Sequence, residues 1–582
     1  MSDTNGSGLR PSERPPLSPA KKYGPLAIVA AVVIAVVAVI ATSSGDDETA
    51  DRTPVTVDQG AKTLADVDNL PDGVETFARA EKLGTAGSID WGERCDTSVG
   101  KVKMPMWPQP DCFKPFTGDN GGATATGVTA DTIKVVVWLA QPEDPVLKFI
   151  YAQIGNNDTP DQTFQTFEGF AEIFNTYYET YGRKVELIRY NATGPINDST
   201  AATADAETIA RDIKPFFVIN GPLLTNAFAD TLARNQIACI ACTPAQPAQW
   251  YDDRSPYVWD VTRNADQAIQ EIAEYIGKRL AGRPAEYAGD ESMHTKERVF
   301  GFIHVVSSDS SQELEDRFTG ILRDEYNTEF AAIQTYGLPT ELAGSGKDII
   351  TRMKEAGVTT VVFSGDPLAP QTLTKIATEQ EYFPEWVLGQ STLVDTAVFS
   401  RTYDQRQWAH AFGASGLFAR TAPGTAGPGF LYQWYFGQEA PAVSTVPLIA
   451  GPLQVIFGAL QGVGPAVSHE AFKQVLFASP ILPSTPITPQ VSFGNRGFFP
   501  DPDYAALDDQ TEIWWDAEAT GKDELKKDGS GMWRYVDGGK RVLPGEWDAD
   551  AESKLFEDEG SVIIYEDAPK GSELPEYEPL KR

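Results

Sequence analysis

The chain has 582 residues, 82 acidic against 48 basic side chains, a formal net charge of −34 and a pI of about 4.5. That excess of negative charge excludes nucleic acid as a partner, because binding phosphates requires Lys and Arg to displace counterions, and it repels anionic lipid headgroups. An apolar content of 41% with 10% aromatics excludes a wholly disordered chain and is enough for a large core, divided at this length among several domains.

Residues 1–23 are rich in Pro, Ser and Gly, carry Arg10, Arg14, Lys21 and Lys22, and read as a disordered cytoplasmic tail. Gly24–Ala41 then run without a charge. About 18 apolar residues is the lower bound for a membrane-crossing helix. With the basic residues before the run, the bulk of the chain is expected outside the cell. A retained anchor is the preferred reading, and a cleaved signal ending at Val39-Ile40-Ala41 is the alternative. Residues 42–66 read as an acidic linker, and 67–130 as an irregular preamble stapled by a Cys95–Cys112 bridge. Cys239 and Cys242 lie in an apolar strand-like run, where buried structural cysteines, bridged or free, are expected rather than a redox pair.

Regular alternation starts at Asp131. Ile133–Leu139 is a short apolar run of the kind expected for a buried parallel strand. A helix over Thr166–Tyr181 follows, with Phe167, Phe170, Ile173, Phe174 and Tyr177 on one face. Strands over Val185–Tyr190, Phe216–Ile219 and Ile237–Cys242 alternate with helices over Thr200–Ile213 and Phe228–Arg234. After a helix over Ala265–Leu280 the pattern repeats. Strands are predicted at Val299–Val306, Ala331–Thr335, Thr359–Ser364 and Glu385–Leu388, and helices at Gln312–Glu325, Asp348–Ala356 and Gln371–Glu379. Beyond a Gly/Pro-rich stretch (Ala419–Gly429) come apolar helices at Pro447–Gly462 and His469–Phe477. The last 80 or so residues read as loop-rich. From Arg541 they carry 12 acidic and 5 basic residues, a partly ordered acidic tail.

Two β-α-β-α arrays define the fold class: α/β, two doubly wound parallel-sheet lobes joined by hinge crossovers, after an N-terminal transmembrane helix. Ligands of such sheets bind beyond the carboxyl ends of the strands. The loops at those ends supply Trp138 and Gln141, Thr225, Ala245 and Gln246, then Asp309 and Ser310, Asp366, and Gln390 and Ser391 as the ligand-binding set. These hydroxyls, amides, carboxylates and one indole suit a small polar ligand with an aromatic wall. Each single residue has a plainer use as a cap for the helix that follows it. No phosphate loop, zinc-helix or nucleophile-elbow motif is present, so no enzyme, catalytic residue, metal or cofactor is expected. Four histidines without ligand spacing agree. Asp501, Asp503, Asp508 and Asp509 do not have the spacing of a calcium loop.

Several stretches carry a resemblance. GVTADTIKVVV (Gly127–Val137), INGPLLTNAFADTLARNQIACIACTPA (Ile219–Ala245), SPYVWDVTRNADQ (Ser255–Gln267) and SGKDIITRMKEAGVTTVVFSG (Ser345–Gly365) follow in the order seen in substrate-binding proteins of branched-chain amino-acid type ABC transporters. The chain resembles that family, its actinobacterial members in particular, over about Asp131 to Asp516. The resemblance implies a type 1 periplasmic binding fold that closes on its ligand by hinge motion. It places lobe 1 at 131–261 and 419–488, lobe 2 at 262–418 and 489–520, and an acidic extension at 521–582. Thr225 and Ala245-Gln246 match the positions that grip a ligand carboxylate. The place of the amine clamp reads Gly389-Gln390-Ser391, without an acid, leaving Asp366 or Asp309 to substitute. The partners implied are a small-molecule solute, amino-acid-like or related, and an ABC permease in the membrane. A tethered cell-surface sensor or interaction protein reusing the fold is the alternative function.

Overall fold

The computed structural model describes residues 70–580 apart from 223, 307–310, 338, 390–392 and 423–424. The apolar run Gly24–Ala41, and with it the expected anchor, lies outside the described residues.

The first sheet has five parallel strands: β1 (Thr132–Leu139), β2 (Lys184–Asn191), β3 (Phe217–Ile219), β4 (Ala238–Ile240) and β5 (Val258–Trp259), in spatial order β2-β1-β3-β4-β5. Val135, Val136 and Val137 are wholly buried, because helices cover both faces of the sheet. One is Pro160–Tyr177, which starts on a capping box between Thr159 and Gln162. Another is Val446–Val463, which packs on it through Phe457 and Phe174, ring centroids 5.6 Å apart. Each such aromatic contributes roughly 1.5–3 kcal/mol of burial. Val446–Val463 is also the one helix among the described residues long and apolar enough to cross a membrane. Its window is 67% buried inside this lobe, as befits a core helix.

The second sheet holds β6 (Phe300–Val305), β7 (Phe330–Tyr336), β8 (Thr360–Ser364), β9 (Glu385–Leu388), β10 (Ala411–Ser415), β11 (Gln510–Lys522) and β12 (Asp528–Tyr535), in the order β12-β11-β10-β9-β8-β6-β7. A short β13 (Arg541–Val542) pairs with β11. β6 to β10 run parallel, whereas β11 and β12 form a long antiparallel hairpin at one edge. An extension beginning at residue 521 was the expectation; instead the sheet continues through Tyr535. Trp386, Trp408, Trp515 and Trp533 fill the core beneath it. At the amino-terminal edge, Glu385 accepts from Arg298 Nε and Nη2 at 2.8 and 2.9 Å and from the Thr360 hydroxyl. This pins the end of the sheet remote from the carboxyl-terminal loops.

The chain passes between lobes at Asp260–Asn264, after β10, and again before β11. Tyr504 O accepts from Asp260 N, and Thr262 O from Leu507 N, so the first and third crossings are hydrogen-bonded side by side. Arg541 donates to Gly416 and Leu417 of the second crossing and to Asp509 of the third. All three crossings are thereby joined.

The preamble sits on the first lobe. Cys95 and Cys112 are bridged, Cα atoms 5.6 Å apart, and Arg94 donates to Tyr178 O and to Glu179. Cys239 and Cys242 are also bridged, and both are wholly buried.

Candidate functional site

Parallel pairing brings the carboxyl ends of the strands to one edge of each lobe. Leu139 lies opposite Asn191, Val137 opposite Ile219, and Ile219 opposite Ile240. In the second lobe Ser364 lies opposite His304, and Phe363 opposite Leu388. Among the described residues, the loops singled out from the sequence therefore follow strands that end at one edge of each lobe, beside the crossings.

In the first lobe two buried carboxylates fix these loops. Asp144 accepts from Leu147 N and Ile196 N, tying the loop after β1 to the loop after β2. Asp205 accepts from the Trp138 indole at 3.3 Å, from the Tyr190 hydroxyl and from Thr193. Trp138 is thus 4% exposed, packed against Phe228, and occupied within the lobe instead of forming an open aromatic wall. Gln141 remains partly exposed.

Thr225 is half-buried and its Oγ1 accepts from Ala227 N at 3.2 Å at the start of the helix Ala227–Arg234. A hydroxyl keeps its own proton while accepting, so Thr225 can still donate to a ligand. The preceding turn is tight. A Cβ at Gly221 would run into the Cys242 carbonyl, so only glycine lets the loops after β3 and β4 pass this close. Ala245 and Gln246 are buried. The Gln246 side-chain amide donates to Pro244 O and Ala245 O, while the backbone carbonyl of Gln246 accepts from Ala265 N. Gln246 consequently joins the loop after β4 to the first crossing.

In the second lobe Asp366 is wholly buried. It accepts from the Tyr336 hydroxyl at 2.6 Å and from Leu368 N and Ala369 N at 2.8 Å each. Burial pushes its carboxyl up to about 6, against the opposing pull of Tyr336 and the amides. These partners make Asp366 the anchor of the helix Ala369–Glu379. Asp309, Ser310, Gln390 and Ser391 lie outside the described residues.

A further acid, Asp395, is a candidate that no local sequence pattern marks. It lies beyond β9, partly accessible, with one carboxylate oxygen 2.5 Å from the Ser415 hydroxyl at the end of β10. Burial raises its carboxyl to about 6, and the nearby Arg263 opposes that rise. Its spacing from Glu385–Leu388 hid it; the signal available was an acid two residues past Leu393, in a loop at the carboxyl edge.

The same edge exposes apolar side chains. Val306 follows β6, Leu393 follows β9, and Leu417 and Phe418 follow β10, with Phe418 61% exposed. Exposed apolar groups gathered at a sheet edge mark a binding surface more often than scattered ones do.

These features define the class: a two-lobed α/β protein whose lobes are joined by three crossings, with polar groups in both lobes and exposed apolar groups beside the crossings at the second. No protein-family profile and no curated protein matches the chain. Among solved structures, it is similar to the branched-chain amino-acid transporter substrate-binding protein LivJ of Streptococcus pneumoniae in complex with isoleucine. Identity is 14% and the TM-score 0.45, over 71% of this chain and 100% of that one. It is similar also to the leucine-, isoleucine-, valine-, threonine- and alanine-binding protein of Brucella ovis in its closed conformation (12%, 0.48, over 75% and 100%). A third is a solute-binding protein of an ABC transporter from R. palustris in complex with 4-hydroxybenzoate (13%, 0.44, over 69% and 97%). The similar solved structures are consistently substrate-binding proteins of this transporter type.

Proposed function

We propose that the chain is an extracytoplasmic solute-binding protein that captures a small polar or amphipathic solute in the interlobe cleft and hands it to an ABC permease. The observation that carries the reading is the mixed character of the two edges beside the hinge. Thr225 keeps a hydroxyl proton free for an anionic or carbonyl group. Asp395 keeps acceptor capacity for a donor. Val306, Leu393, Leu417 and Phe418 offer contact to an apolar body. Asp366, occupied by Tyr336 and the helix amides, holds the loop beside them. Gln141 and the segments containing Asp309, Ser310, Gln390 and Ser391 complete the proposed lining. No reaction is required of any of these groups. Gly24–Ala41 would tether the protein to the cell membrane, with the two lobes outside.

Thermal unfolding of the protein against a metabolite panel tests the reading. Isoleucine and 4-hydroxybenzoate, the molecules bound in the similar structures, are natural first probes. A ligand at 100 times its Kd stabilises by about 2.7 kcal/mol.

One observation supports a second reading, a tethered surface sensor. The preamble and the C-terminal segment dock on each other, Tyr577 donating to Asp96 at 3.0 Å, which capture of a solute does not itself require. Recovery of a permease from membranes by pull-down would favour transport over sensing.

A further inference from the structure

The C-terminal segment touches both lobes and the hinge between them. Its first part belongs to the second lobe, where Trp547 and Leu555 are buried in the core and the Arg279 guanidinium donates to Asp548 O and Ala551 O. It then runs along the second crossing, where Tyr565 N donates to Arg420 O, and Ala422 N to Tyr565 O. Its end lies on the first lobe. Trp434 Nε1 donates to Tyr577 O at 2.7 Å, and Leu580 N to the Tyr177 hydroxyl at 2.8 Å. Leu580 packs against the first lobe's core.

We propose that this segment is a strap that limits how far the two lobes open. The proposal rests on the reading of the chain as a hinged two-lobed binding protein. Opening a hinge separates groups on opposite lobes. A chain anchored at Tyr565 on the crossing and at Tyr577 on the far lobe must then pay out slack or detach. Ser572, between the two anchors, is wholly buried and its N–H closes a turn onto Pro569 O, so some slack is stored there. A fully extended chain spans at most about 3.6 Å per residue, which sets a ceiling on the opening while the end stays docked. The terminal contacts are a few hydrogen bonds, one of them from the Tyr577 hydroxyl to the Asp96 carboxylate, and one leucine, against two buried core side chains at the second lobe, which makes release at the first lobe easier than release at the second. The hairpin between β11 and β12 makes a different interlobe contact, Lys526 to Glu439 at 3.2 Å, with both side chains about half exposed or more. Such a pair is screened by solvent and holds weakly.

The test measures the lobe-to-lobe distance without any solute, so it stands or falls apart from the solute reading. Spin labels are placed at Glu207→Cys on the first lobe and Lys375→Cys on the second, both exposed, and distances are read by double electron–electron resonance. Ending the chain after Glu566 is expected to lengthen the mean distance and broaden its distribution. Trp434→Phe combined with Tyr577→Ala should do the same in a full-length chain, which keeps the test valid if truncation impairs folding. Unchanged distributions in the full-length variant would overturn the strap. So would lengthening seen only with Lys526→Ala, which would assign the restraint to the hairpin.

Discussion

Arg541 Nε lies 2.7 Å from Asp509 Oδ1, and each side chain is 1% exposed. The same guanidinium reaches Gly416 O and Leu417 O, so one buried ion pair joins the crossing that leaves β10 to the crossing that enters β11. Removing one partner of a buried pair leaves the other charged and desolvated. Arg541→Ala is expected to destabilise the protein by about 3–5 kcal/mol, read from urea unfolding. A loss within about 0.5 kcal/mol, the range of ordinary surface substitutions, would show that the pair does not hold the hinge.

The hinge also holds carboxylates whose titration should govern its stability. Glu271 faces Arg263 at 2.6 Å, with Asp508, Asp509 and Arg541 close by. Burial raises Glu271 to about 8, and burial raises Asp508 to about 7 although the Gln490 amide hydrogen-bonds to it. Both values lie above those of an unfolded chain, so the folded protein holds more protons. Their contribution is fully present below about pH 4 and is lost as pH rises through about 7 to 8, at about 1.4 kcal/mol per pH unit for each proton. Stability measured by denaturant titration should therefore fall between pH 5 and 8 for these groups, and Glu271→Gln should flatten the slope. An unaltered slope in Glu271→Gln would remove Glu271 from the account.

Thr225 and Asp366 should separate binding from stability. Thr225→Ala loses the proposed ligand donor, so solute affinity by calorimetry should weaken by roughly 1–3 kcal/mol, while Thr225→Ser retains it. Asp366→Ala removes the cap of Ala369–Glu379 and the partner of Tyr336, so the melting temperature should fall by the equivalent of about 1–3 kcal/mol. Equal affinity for Thr225→Ala and the parent would move the carboxylate grip elsewhere.

The parallel sheets were legible because strands covered on both faces read as short apolar runs, as in Ile133–Leu139 and Val299–Val306. β10 (Ala411–Ser415) escaped because all its residues but Phe412 are small, too short an apolar signal to stand out. A strand near Ile513-Trp514-Trp515 was expected in the second lobe, but the rest of the β11–β12 hairpin escaped because beyond Trp515 its strands alternate or expose polar residues such as Glu518 and Lys522. At the candidate site, the pattern placed the described loops at the carboxyl ends of the strands, but not the partners of their side chains. Trp138 is turned inward by Asp205, 67 residues away, and Asp366 is taken by Tyr336, 30 residues away. Partners that distant cannot be read from local pattern. Asp395 was hidden for the converse reason: its role follows from Ser415 on a strand that the pattern did not reveal.

A small solute bound between the lobes should be visible by isothermal calorimetry on the protein and on Asp395→Asn, with the solute that most raises the melting temperature. Saturable one-to-one binding by the protein is expected, weakened by about tenfold or more in Asp395→Asn through the loss of a hydrogen bond to a charged group. Identical affinity in the two proteins, or no heat with any member of the panel, would show that no solute is held there by Asp395.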